Sequence, residues 1–78
     1  MGAPAMARTQ ADLFDLAAKC ELAGQNAADD EQRLSLQRLR DLWTALANES
    51  PNMSEERLAK EIAAIERIHA EAFGQGKA

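Results

Sequence analysis

A chain of 78 residues is close to the size at which one hydrophobic core barely offsets the entropy of ordering the backbone, so a single small domain is expected and self-association would help it. Tyrosine and valine are absent and alanine supplies much of the apolar content, which argues against a strand-rich fold. A formal charge of −4, with the nine basic residues scattered, argues against a nucleic-acid surface, which needs clustered Lys and Arg to release counterions.

The opening residues MGAPAMAR hold no apolar run of signal-peptide length, and residues 1–8 are expected to be disordered. Gly2 suggests myristoylation, but that signal asks for Ser or Thr where this chain has Met6. No segment approaches the ~20 apolar residues a bilayer span requires. Cys20 is the only cysteine, so no internal disulfide is possible and a reducing, cytoplasmic setting is expected.

Along the chain the apolar residues recur at three-and-four spacing, the period of a helix. Leu13, Leu16, Cys20, Ala23 and Ala27 form the first stripe, and Thr9 with Asp12 three residues on makes a capping box, so a helix is predicted over 9–26. A second stripe, Leu36, Leu39, Trp43 and Leu46 with Leu42 and Ala47 on its shoulders, follows Asp29 as N-cap and predicts a helix over 30–49. It should stop before Pro51, because the residue preceding a proline is biased out of the α region. Leu58, Ile62, Ile65, His69 and Ala72, flanked by Ile68 and Phe73, form the third stripe over 54–73. Ser54 caps that helix, Met53 and Leu58 have the spacing of a hydrophobic staple, and Gly74 is placed just past its end, before a flexible tail 74–78. The fold class is therefore all-α, a small antiparallel up-down-up three-helix bundle, or a helical hairpin plus a third helix, and dimeric.

Trp43 lies mid-arc between Leu36 and Leu39, which marks it as core; the competing reading is an exposed anchor for a partner. An antiparallel hairpin through NAADD would set Trp43 opposite Phe14 and Leu36 opposite Cys20 or Glu21, bulky residues facing the small side chains Ala17, Cys20, Ala23 and Gly24. The expected core is Leu13, Leu16, Cys20, Leu36, Leu39, Trp43, Leu46, Leu58 and Ile62.

From Cys20 to Ala47 the chain resembles a large group of short, uncharacterised helical proteins of rhizobia-type alphaproteobacteria. The shared pattern is met by Cys20, Ala23, Ala27, Asp29, Glu31, Arg33, Leu36, Trp43, Leu46 and Ala47, with Asp30 and Arg40 where the group often has Pro and Ala. The resemblance implies a helical hairpin with Cys and Trp in its core; it implies no reaction.

Candidate chemistry is sparse. Glu66 and His69 have the Glu-x-x-His spacing that di-metal carboxylate bundles place on one helix face, and a homodimer would supply two such pairs. Neither of the first two helices adds an inward carboxylate, since Glu21 and, on the third helix, Glu61 lie on shoulders. Cys20 and His69 can meet in the core, yet two ligands do not close a zinc site. Cys20 is read as a buried small hydrophobe and His69 as a half-buried helix residue. There is no phosphate loop, serine elbow or inward carboxylate pair, so no catalytic residue, cofactor or enzyme activity is assigned. Gln32, Arg33, Gln37, Arg38 and Arg40 hint at a DNA-binding or antitoxin-like regulator, but acids interleave them. What remains is a non-catalytic protein-protein interaction or regulatory module with itself or another protein as partner, and without nucleic acid or membrane. Its contact residues are expected to be Ile65 and Ile68 on the third helix, with Leu22 and Leu34 beside the first turn.

Overall fold

The computed structural model describes residues 9–74, and these are all-α: α1 spans Gln10–Gln25, α2 Asp30–Glu49 and α3 Glu55–Gly74, with a short 3-10 turn at Ser50–Asn52. The segment 1–8 and the tail beyond Gly74 lie outside the described residues. Gly74 itself is the last residue of α3, one position further than the spacing predicts.

Each helix starts where its cap dictates. The Thr9 hydroxyl accepts the Asp12 N–H at 3.1 Å and the Asp12 carboxylate accepts the Thr9 N–H at 3.0 Å, so the capping box is complete. Asp29 accepts from the Gln32 N–H at 2.8 Å and opens α2, and Ser54 accepts from the Arg57 N–H at 3.1 Å at the head of α3. At the end of α1, the Asn26 side chain donates at 3.0 Å to the Leu22 carbonyl, which also accepts the Asn26 backbone N–H at 3.2 Å.

Leu13, Ala17 and Cys20 from α1, Leu39, Trp43, Leu46 and Ala47 from α2, and Ile65 from α3 form one buried cluster. Leu36 is buried too, beside Gly24, rather than opposite Cys20 or Glu21 as the hairpin register suggests. The four-residue connection Ala27–Asp29 with Asn26 carries the chain past the end of α1 before α2 begins, which moves the pairing by about one turn. Leu16, Leu58 and Ile62, expected in the core, are only half-buried and pack along its rim with Met53 and Ala72. Three short helices enclose a narrow centre, and side chains at the edge of each apolar arc keep one flank in water. Phe14, expected to face Trp43, is 40% exposed.

A Cβ added at Gly24 would meet the Leu36 Cβ at 3.6 Å and the Arg33 carbonyl at 3.9 Å, ordinary contact distances. Gly24→Ala is therefore expected to raise stability by roughly 0.5–1 kcal/mol through lower backbone entropy in the unfolded chain, seen as a higher urea midpoint. A lower midpoint would mean that Leu36 cannot give.

The α2–α3 junction departs from expectation. Ser50, before Pro51, stays helical at φ −55°, ψ −36°, and the chain becomes extended only at Met53, φ −105°, ψ 151°. Pro51 has no N–H for the Ala47 carbonyl four residues back. That acceptor is taken instead by the Ser50 hydroxyl at 2.9 Å and by the Gln10 side-chain amide at 2.8 Å. With the orphaned carbonyl doubly satisfied, the backbone continues as a tight turn through the proline, and α2 is tied to the first residue of α1. Ser50→Ala should cost about 1 kcal/mol in urea unfolding, whereas Pro51→Ala should shift stability by less than about 0.5 kcal/mol because the carbonyl already has its donors.

Candidate functional site

One side chain from each helix converges on a single atom. Trp43 of α2 is fully buried, and its indole N–H needs an acceptor, since burying a donor without one is costly. It donates to Nδ1 of His69, on α3, at 3.2 Å. Cys20 of α1, also fully buried, places its Sγ 3.9 Å from the same nitrogen. The indole and imidazole meet edge-on at 70° with centroids 5.9 Å apart, and Phe73, one turn further along α3, stacks on the other side of the imidazole at 4.4 Å.

The chemistry of this cluster follows from which group donates. Indole N–H has no lone pair to offer, so Nδ1 accepts and the imidazole proton sits on Nε2. Burial pushes the Cys20 thiol above its ordinary range, an effect Lys19 only partly opposes. A protonated thiol is a poor nucleophile, so the Cys20–His69 approach is packing with a weak polar contact. Cys20 should react with a thiol reagent more than about tenfold slower in the native chain than in urea, because attack must wait for local opening. Equal rates would show an accessible thiolate.

The sequence anticipates the meeting of Cys20 and His69, but not the indole donor that completes it. The signal was present: a Trp and the only His, both polar-tipped, on the facing stripes of two adjacent helices. Glu66, which only the alternative di-metal reading pairs with His69, lies half-buried one turn earlier on α3. Among the described residues no three His, Cys, Asp or Glu side chains come together as a metal would require, and ligation through Nδ1 would have to displace the Trp43 indole.

Of the expected contact residues, Leu22 and Leu34 are 60% and 57% exposed and Ile68 is 46% exposed. Ile65 is different: at 7% exposure it belongs to the core of its own chain. Ile68 lies three positions on, about 60° around the helix from Ile65, and α3 is rolled so that Ile65 faces inward and Ile68 falls at the exposed edge of the arc. Around the cluster the surface is ordinary, with Arg40 bridging Glu21 and Asp41. The Arg40 hydrogen bond, helped by Gln25, holds the Glu21 carboxyl below the usual carboxylate range. Its contribution to stability is thus present above that range and fades as pH falls through the lowered value, and solvent screening of the half-exposed pair keeps it small.

Among the described residues no helix is long and apolar enough to cross a membrane. Comparison with protein-family models, curated proteins and solved structures finds no match to the chain.

Proposed function

We propose that this chain is a non-catalytic helical interaction or regulatory module that pairs with a second copy of itself in the cytoplasm, its three helices running up, down and up. The observation that carries the reading is the set of large apolar side chains left in water on all three helices. Phe14, Leu22, Leu34, Leu42, Ile68 and Phe73 are each between 40% and 60% exposed in a domain of 78 residues. Isolated exposed leucines are common, but here they join exposed alanines: Ala11, Phe14, Ala18 and Leu22 make a second, outward stripe on α1 at helical spacing. Ile68 and Phe73 extend the apolar surface onto α3, and Ile68 replaces Ile65 as the residue set nearest the two-fold axis. Six of the nine expected core residues are buried, and the resemblance to the rhizobial helical-hairpin proteins is supported by burial of the pattern residues Cys20, Leu36, Trp43, Leu46 and Ala47.

Sedimentation equilibrium tests the pairing. A dimer at micromolar concentration is expected, and a mass of one 8.5 kDa chain across the accessible range would overturn it.

A further inference from the structure

We propose that α1 carries a docking face of its own, on which a second copy of this chain seats its α1 antiparallel to the first. Counting about 100° per residue from buried Leu13, the exposed residues Phe14, Ala18, Ala11 and Leu22 fall at about 100°, 140°, 160° and 180°. Cys20, through which α1 approaches His69 of α3, lies at about −20°, so this seam is on another side of α1 and shares no residue with the surface around Ile68. Gln25, which donates to Glu21 at 3.1 Å, ends the seam. The flank toward α2 is already engaged within the chain, since Gln10 donates to the Ala47 carbonyl and Glu21 is held by Arg40. The other flank is Asp15 and Lys19, at about 200° and 240°, both exposed and neither in an ion pair among the described residues.

The occupant follows from those two charges. Laid parallel, the α1 of a second copy sets like against like, with Asp15 beside Asp15 and Lys19 beside Lys19. A two-fold axis level with residues 16–17 reverses the partner helix and brings the same flank of both together, so Asp15 meets the partner's Lys19 and Lys19 meets the partner's Asp15. The two pairs are equivalent by symmetry. In that register Phe14 packs on the partner's Ala18 and Leu22 on the partner's Ala11, bulky against small along the whole seam. The inference rests on the self-association proposed above only for the premise that the occupant is this same chain, and it adds a second direction to it. A pair formed near Ile68 still presents two α1 faces, which join pairs into a four-chain assembly at higher concentration.

The experiment is sedimentation equilibrium of the full chain from about 1 μM to about 1 mM, a range wide enough to separate a strong contact from a weak one. Expected is two-chain mass at the low end and four-chain mass at the high end. Asp15→Lys and Lys19→Asp should each weaken the second step by about tenfold or more, and the double swap of both residues should restore it to within about threefold. The single variants move the net charge in opposite directions, so a loss common to both reports the pairing and not overall repulsion. Ile68→Glu, one chain at micromolar concentration, should still reach two chains at the high end. A parent mass that stops at two chains, with the charge variants indistinguishable from it, overturns the α1 seam and leaves the pairing near Ile68 standing. Two-chain mass lost in both single variants, restored by the swap and kept in Ile68→Glu supports the seam and overturns the place given to Ile68. A loss that the swap does not restore overturns the seam.

Discussion

Trp43→Ala is expected to lower stability by about 3–5 kcal/mol, which for a domain of this size leaves little native population. The indole is the largest fully buried side chain, so its removal opens a cavity that Leu13, Leu39 and Ile65 cannot all collapse into. Trp43→Phe separates the two roles of the residue: it keeps most of the ring volume, removes the donor to His69 and should cost about 1–2 kcal/mol. Urea unfolding followed by helicity reads both variants. A Trp43→Ala chain as stable as the parent but unable to self-associate would make the tryptophan a binding anchor after all.

The second large effect distinguishes two isoleucines three positions apart. Ile65→Glu places a carboxylate in the buried cluster with no cation shown beside it, and should cost several kcal/mol and abolish folding. Ile68→Glu puts the same group at a position that is 46% exposed, so helix content should be largely retained while the proposed self-association is lost. Circular dichroism together with sedimentation decides the pair. Loss of helicity in Ile68→Glu would make dimer and fold inseparable, and a folded Ile65→Glu chain would contradict the roll assigned to α3.

Those two residues also mark how far the sequence could be read. Thr9, Asp29 and Ser54 announced the helix starts because a cap is a local interaction, and the Leu13–Cys20 and Leu36–Leu46 stripes announced their buried faces because period alone picks an arc. Trp43 was legible as core for the same reason. The roll of α3 was not: Leu58, Ile62, Ile65, Ile68 and Phe73 occupy a wide apolar arc, and which edge turns inward depends on the groove that α1 and α2 offer. The helical Ser50 before a proline was equally hidden, since the carbonyl it relieves is shared with Gln10, 37 residues away in sequence from Ala47. The half-burial of Leu16, Leu58 and Ile62 is likewise a matter of how narrow a three-helix centre is.

The link from Trp43 to His69 also orders events at the ribosome. α1 and α2 are joined by local contacts and can pair as soon as both have emerged, which is the kind of topology that forms quickly. At that moment the indole N–H that will be sealed in the interior still has only water to bind, because its acceptor lies 26 residues further along the chain. The nascent hairpin is thus an open half-core, and a chain truncated anywhere before residue 69 keeps it open. Sealing of the indole waits until residue 69 has been made, so the interval in which the paired α1 and α2 lie open to chaperones and proteases is built into the order of these residues.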